Sequence, residues 1–106
     1  MDIREAQQRM AEIARVKGFN QADIPRQFCY MSGEVAEAFD AWNKGEPKEH
    51  LAHELADIFN NVARVASMTG IDLQSAVEEK QAIVAERVYE RGPGAGMVKR
   101  GREMGE

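Results

Sequence analysis

Apolar residues recur at intervals of three and four along four successive segments of the chain, a spacing that places them on one face of an α-helix. Three predicted helices cover about residues 2–17, 23–44 and 48–69, and a fourth begins after Asp72 and extends to Val88. The break Gly45-Glu46-Pro47 leaves only a short connection, so the second and third helices are predicted to be antiparallel neighbours. The pattern therefore predicts an all-α, antiparallel, four-helix bundle-like protomer.

The second and third helices carry the same local pattern around two acidic pairs, Glu34-x-x-Glu37 and Glu54-x-x-Asp57. Counted from the first acid of each pair, apolar residues stand at −3, +1, +4, +5 and +8: Met31, Val35, Ala38, Phe39 and Trp42 in one helix, and Leu51, Leu55, Ile58, Phe59 and Val62 in the other. In both helices the acids lie on one edge of this apolar stripe. Packing the two stripes together would bring four carboxylates to one place.

Four neighbouring carboxylates repel one another unless a cation lies between them. Carboxylate oxygens are hard ligands, and two acids three residues apart on a helix can reach the same ion. We therefore expect Mg²⁺, with Mn²⁺ as the alternative, held by Glu34, Glu37, Glu54 and Asp57. A single acidic pair is ordinarily solvated surface, which is our interpretation of Glu78 and Glu86, but the repeated angular offset favours a metal site at these four acids.

Two further residues near the acids have alternative interpretations. Asn61, one turn beyond Asp57, would hold a ligand carboxylate or contact substrate, or else be an ordinary polar boundary residue. Trp42 lies on the apolar stripe, where a core position is the default and stacking on a nucleobase is the alternative.

The bulk composition narrows the class of protein. With 106 residues, 43% of them hydrophobic, the chain can build one modest core, and short helices of this kind often complete their burial by forming a homodimer or homotetramer. We predict a helical domain over residues 1–91 and a flexible, glycine-rich C-terminal tail over residues 92–106. A net charge of −4 argues against nucleic acid or an anionic membrane as the main partner.

The single cysteine, Cys29, excludes an intrachain disulfide, and the chain is predicted to be cytoplasmic. The start of the chain has no signal-sequence pattern, and no apolar run approaches membrane-spanning length. Cys29 itself is expected to be a small buried apolar residue.

The acidic motifs, with the later Gly70-Ile71-Asp72-Leu73 and Glu79-Lys80, resemble those of the MazG-like, all-α nucleoside triphosphate pyrophosphohydrolases. The resemblance covers about residues 24–91. It implies hydrolysis of a nucleoside triphosphate, expected to be a deoxy or noncanonical nucleotide, between its α and β phosphates, releasing the monophosphate and pyrophosphate. The residues matching the family's Mg²⁺ ligands are Glu34, Glu37, Glu54 and Asp57, and Glu37 is our choice for the catalytic base, with Glu34 beside it.

The resemblance also implies phosphate contacts from the last helix, where Lys80 and Arg87 match the family pattern and Val84 replaces a usual asparagine. That departure favours the alternative function, a non-catalytic helical interaction or regulatory module that retains the fold. A di-iron carboxylate bundle is less consistent with the sequence, because neither acidic pair is a Glu-x-x-His motif.

Overall fold

The structure, a computed structural model, describes residues 1–91 and 97–99, and the side chains of residues 1–88. Four helices follow one another: α1 (Ile3–Lys17), α2 (Ile24–Asn43), α3 (Lys48–Met68) and α4 (Leu73–Glu86). Two short antiparallel strands, β1 (Tyr89–Arg91) and β2 (Met97–Lys99), come after them. The predicted all-α fold class is confirmed, and the starts and ends of α1 to α3 lie within one residue of the prediction.

The fourth helix ends earlier than predicted. It stops at Glu86, and β1 occupies residues 89–91, where the sequence analysis had continued the helical domain. Val88 and Tyr89 are residue types that favour extended backbone, and they stand just before the glycine-rich segment. Residues 97–99, assigned above to a flexible tail, form β2, and the rest of the predicted tail lies outside the described residues.

Local hydrogen bonds explain where the first helices begin and end. Asp2 caps α1 by accepting from the main-chain N–H of Glu5, whose side chain accepts in return from the Asp2 N–H. Gly18 ends α1 in the left-handed conformation, φ 71°, which glycine adopts without a steric penalty. Asp23 caps α2 by accepting from the N–H of Arg26, with Pro25 tolerated in the first turn.

Helices α2 and α3 pack against each other in antiparallel register. Gln27 of α2 hydrogen-bonds Asn61 and Arg64 of α3, whereas Glu34, seven residues later on α2, lies beside Glu54 and Asp57, seven residues earlier on α3. Helices α2 and α3 are therefore antiparallel neighbours, as predicted. Their register creates two successive levels of polar contact along the helix pair.

The core of the described chain is built from small residues, with Ala14, Ala38, Ala41, Ala63 and Ala66 buried. The large members of the predicted apolar stripe are not core residues in the single chain, because Phe39 and Trp42 are 62% and 64% exposed and Val35 and Leu55 are also exposed. The expectation that Trp42 belongs to the core is therefore wrong for the protomer. The apolar residues of α2 and α3 that are buried in the single chain are all alanines, and the large side chains of the stripe are left at least partly exposed.

The chain divides into two compact units, and the boundary between them follows Gln74. The first contains α1, α2, α3 and the beginning of α4, and it holds all the residues of the acidic cluster and of the cavity described below. The predicted domain boundary at residue 91 stays a prediction. Among the described helices, none is both long enough and apolar enough to cross a bilayer.

Candidate metal centre and adjoining cavity

Three carboxylates meet where the middle of α2 crosses α3. Glu34, Glu54 and Asp57 each offer one oxygen, and these oxygens lie within 4.8 Å of one another. The antiparallel register brings them together, because Glu54 and Asp57 are one turn apart on α3 and face the same point on α2. Glu37, one turn beyond Glu34, lies close enough for its charge to act on the Glu34 carboxyl.

In the part of the chain that the structure describes, two oxygens of this acidic cluster are buried without a hydrogen-bond partner. They are Oε2 of Glu34 and Oε2 of Glu54. Burial raises the pKa of the Glu34 carboxyl above its ordinary value, and the negative charges of Glu37, Asp57 and Glu54 raise this pKa further. A buried carboxylate oxygen without a donor is costly, and a divalent cation is the ligand that satisfies several such oxygens at once. The residues present therefore fit a metal ion.

The other oxygen of Glu54 is held from outside the cluster by His50. The His50 side chain bridges two acids, with Nε2 3.2 Å from Glu54 Oε1 and Nδ1 2.8 Å from Glu46 Oε2. The His50 contact is made to Oε1, and Oε2 is the Glu54 oxygen that is buried without a hydrogen-bond partner among the described residues. The contact resembles the way in which hydrogen bonds from surrounding residues orient metal ligands in proteins.

The second polar level, seven residues away on each helix, consists of hydrogen-bonded neutral and cationic groups. Arg64 Nη1 donates to Gln27 Oε1 at 3.0 Å, and Gln27 Nε2 donates to Asn61 Oδ1 at 2.6 Å. Asn61 Nδ2 then donates to the main-chain oxygen of Asp57 at 2.9 Å. This series of hydrogen bonds, from Arg64 through Gln27 and Asn61 to Asp57, is called the amide relay below.

A cavity of about 650 Å³ joins the two levels. Glu34, Glu37 and Asp57 line it on the acidic side, and Gln27, Asn61 and Arg64 line it at the amide relay. The lining also includes Phe19 and Asn20 from the connection between α1 and α2. A volume in this range is typical of pockets for small molecules. The arrangement offers a site for a ligand that carries negative charge at one end and polar atoms at the other.

Residues 26–91 match the MazG nucleotide pyrophosphohydrolase domain. The chain belongs to the MazG family. The enzyme class predicted from the sequence, a nucleotide pyrophosphohydrolase that acts on an acid anhydride, is thereby confirmed. No curated protein matches the chain.

The MazG fold is also seen in a comparison with solved structures. A cyanophage S-2L MazG-like pyrophosphohydrolase superimposes with a TM-score of 0.70 over 97% of both chains, at 19% sequence identity. That protein was solved bound to dGDP and three catalytic Mn²⁺ ions per active site. At 19% sequence identity, this similarity establishes the fold and nothing further.

The structure brings together only some of the site residues that the sequence predicted. Glu34, Glu54 and Asp57 meet, Glu37 lines the cavity beside them, and Asn61 also lines it, bonded to the Asp57 main chain rather than to a carboxylate. Trp42 is not among the cavity residues and lies 6.0 Å from Phe39, between ring centroids, on the exposed face of α2.

The two predicted phosphate-binding cations belong to the C-terminal part of the chain. Lys80 lies on α4, and Arg87 directly follows this helix. Their role towards a phosphate stays a prediction.

Gln27, Arg64 and Cys29 are among the cavity residues that the sequence analysis did not predict. Gln27 and Arg64 are buried, 5% and 9% exposed, and Cys29 is exposed and lines the cavity instead of being buried. A signal for the first two was available, since Gln27 precedes Glu34 by seven residues and Arg64 follows Asp57 by seven, which continues the polar edge of each helix by two turns. Cys29 gave no such signal.

Proposed function

We propose that this MazG domain hydrolyses a deoxynucleoside or noncanonical nucleoside triphosphate between the α and β phosphates, in a reaction that depends on Mg²⁺ or Mn²⁺. The products are the nucleoside monophosphate and pyrophosphate. The observation that carries the proposal is the pair of buried, unpartnered oxygens on Glu34 and Glu54, beside Asp57 and at the edge of a ligand-sized cavity. A bound cation would offset the mutual repulsion of these carboxylates and satisfy the unpartnered oxygens.

Glu34, Glu54 and Asp57 would hold the metal, with Glu37 as the further ligand predicted from the sequence. A bound divalent ion supplies neutralisation of the triphosphate charge and a lower pKa for a coordinated water. The acid-rich donor set, with no cysteine and no histidine among the three clustered ligands, suits a hard ion such as Mg²⁺ or Mn²⁺ better than zinc.

The chemical step needs a proton acceptor and an ordered water. Glu37 lines the cavity but is not one of the three carboxylates that meet, so it is the acid least committed to the metal. We assign it as the base that takes the proton of the attacking water, while the water oxygen bonds to the α phosphorus and the bond to the bridging oxygen breaks. The electron pair of that bond leaves with pyrophosphate. Lys80 and Arg87 are proposed to contact the phosphates.

The preference for a deoxynucleotide is supported by the cyanophage relative, whose bound ligand is dGDP. The acidic side of the cavity would receive the phosphates together with metal, and the side formed by Gln27, Asn61 and Phe19 would receive the nucleoside. The negative net charge of −4 fits a substrate that arrives with its metal rather than as a free anion.

The deciding experiment measures pyrophosphate release with Mg²⁺ and with Mn²⁺ across ribo-, deoxyribo- and modified nucleoside triphosphates. Wild type should turn over at least one of them, and Glu54→Ala should turn over none. Glu49→Gln, which alters an exposed acid of the same helix, is the control for a general effect of charge on α3. A folded, metal-supplied wild type that releases no pyrophosphate from any nucleotide would favour the non-catalytic module instead.

We also propose that the protein is a cytoplasmic homodimer or homotetramer. The support is the exposed apolar face formed by Val35, Phe39, Trp42 and Leu55, together with a protomer core that contains only small apolar residues among the described part of the chain. Contiguous apolar surface of this kind is typical of subunit interfaces. Light scattering after size exclusion should give at least twice the 11.9 kDa chain mass, and Phe39→Glu should reduce it to that of one chain. An unchanged mass in Phe39→Glu would place the interface elsewhere.

A further inference from the structure

Arg64 is a buried cation whose partners are all neutral. Besides the bond to Gln27, its Nη2 donates to the main-chain oxygen of Asn20 at 2.7 Å and to Gln21 Oε1 at 3.1 Å, and its guanidinium lies 5.4 Å from the centroid of the Phe19 ring. No carboxylate among the described residues forms an ion pair with it. A cation that is 9% exposed must gain its stability from these directed hydrogen bonds.

These contacts fix the orientation of both amides in the amide relay. A guanidinium can only donate, so the atom of Gln27 that faces Arg64 is the oxygen, and the nitrogen of Gln27 faces Asn61. At the other end, the main-chain oxygen of Asp57 can only accept, so Asn61 directs its nitrogen there. The two ends therefore impose the same direction on the whole relay.

The fixed orientation of the two amides determines which hydrogen-bonding groups face the cavity. Each amide nitrogen carries two hydrogens, and one hydrogen of Gln27 and one of Asn61 are used within the relay. No acceptor among the described residues takes the second hydrogen of either group, and both residues line the cavity. The Gln27 oxygen already accepts from Arg64, so its amide presents a donor to the cavity.

We propose that Gln27 and Asn61 donate hydrogen bonds to an acceptor atom in the nucleoside part of the substrate, and that Arg64 is the positioning residue that keeps both amides turned as donors. The inference rests on the proposed function, since the acidic cluster is where the phosphates would bind. Gln27 lies seven residues from Glu34, about 10 Å along α2. That separation suits a base or sugar better than a phosphate already held by the metal site.

The acceptor is a base carbonyl or ring nitrogen, or a sugar oxygen, and substrate pairs that differ in one such atom distinguish them. For the base, dGTP is compared with its 7-deaza counterpart, in which a C–H group replaces the N7 acceptor, and dUTP with its 4-thio counterpart, in which sulfur, a weaker acceptor, replaces O4. For the sugar, each is compared with its 2′,3′-dideoxy counterpart, which lacks the 3′ oxygen. A site that loses one buried hydrogen bond is expected to lose about tenfold in kcat/KM.

The decisive variant is Gln27→Glu. Glutamate has the same shape and still accepts from Arg64, but when ionised it has no hydrogen to donate. We expect KM for the preferred nucleotide to rise about tenfold with kcat changed less than threefold, and the preference over one acceptor-deficient partner to disappear. Gln8→Glu, on an exposed position of α1 outside the cavity, should retain both the KM and the preference.

Arg64 is tested by its conservative and non-conservative replacements. Arg64→Gln allows the Gln27 amide to turn and should remove the same preference as Gln27→Glu, whereas Arg64→Lys, which still only donates, should restore part of it. A purely structural role would lower kcat/KM equally for both members of every substrate pair. If Arg64→Gln does not fold, the lysine variant and Gln27→Glu still decide the question.

The outcomes separate this inference from the proposed function. Wild-type turnover with unaltered preferences in Gln27→Glu would overturn the donor role and leave the pyrophosphohydrolase proposal standing. If wild type turns over none of these nucleotides, the proposed function fails for them, and calorimetric binding of the same pairs with Mn²⁺ replaces the kinetic readout. A preference in binding that Gln27→Glu removes would support the donor role, and absence of binding or an unchanged preference would overturn it.

Discussion

The two polar levels of the α2–α3 contact lie seven residues apart on each helix. They differ in whether their buried polar groups have hydrogen-bond partners. At the acidic cluster, like charges meet, and Glu34 and Glu54 each keep a buried oxygen without a hydrogen-bond partner. At the amide relay, Gln27 and Arg64 are more completely buried, yet each is held by hydrogen bonds to neighbouring groups. The same helix pair thus holds one set of groups whose burial is costly without a ligand and one set whose members are already hydrogen-bonded to one another.

This difference determines how each level affects the stability of the ligand-free protein. The acidic cluster destabilises the metal-free protein through repulsion and unmet hydrogen-bonding capacity. The amide relay stabilises it by joining α3 to α2 and to the connection before α2. Removing a charge should therefore have opposite effects on folding at the two levels, which the second and third of the following predictions test.

The largest expected effect is on turnover in the acidic cluster. Asp57→Asn keeps the size of the side chain but removes a ligand charge, and we expect kcat to fall by about 10³-fold or more, because charge stabilisation of the reacting phosphates depends on the metal site. Helical content by circular dichroism should stay that of wild type. Pyrophosphate release gives the rate, and Glu49→Gln serves again as the control. Activity within tenfold of wild type would contradict the assignment of Asp57 as a ligand.

The next effect in size is on stability at the amide relay. Arg64→Met keeps most of the side-chain length but removes the donors to Gln27 and Asn20, leaving their oxygens unsatisfied. We expect the free energy of unfolding to fall by about 3 kcal/mol, from urea denaturation monitored by circular dichroism. Arg9→Met, at an exposed position of α1, should change it by less than about 0.5 kcal/mol. An equal change in the free energy of unfolding in both variants would show that the buried contacts of Arg64 do not contribute to stability.

The smallest expected effect is a gain in stability on replacing Glu34, in contrast to the loss expected for Arg64→Met. Its raised pKa means that the folded, metal-free protein disfavours the ionised carboxyl, so Glu34→Gln should raise the melting temperature in the presence of a chelator by a few degrees. Added Mn²⁺ should raise the melting temperature of wild type, because the ion binds only the folded cluster, and raise that of the variant less. A variant that melts below wild type without metal would contradict the repulsion argument.

The sequence predicted the acidic cluster better than the rest of the cavity. Glu34, Glu54 and Asp57 could be found because an i, i+3 pair repeats at the same offset from two apolar stripes, and helical periodicity converts that repeat into a shared face. Arg64 and Gln27 lie on the same edge of each helix, but nothing in their spacing indicates that a cation and an amide are buried and bonded to each other. Cys29 was expected to be buried, and Trp42 was expected in the core or, alternatively, stacked on a nucleobase; both are exposed in the protomer.

What the sequence determined by itself is the set of helices α1 to α3 and the alignment of their acids. Their ends depend on capping by Asp2 and Asp23 and on the left-handed backbone of Gly18, interactions that span only a few residues. The tertiary structure decided which part of each apolar stripe is covered, which polar groups are buried, and in which direction the amides of Gln27 and Asn61 point. Those outcomes depend on which segments meet across the helix pair, and a partner such as Arg64, 37 residues from Gln27, acts on it only once the chain has folded.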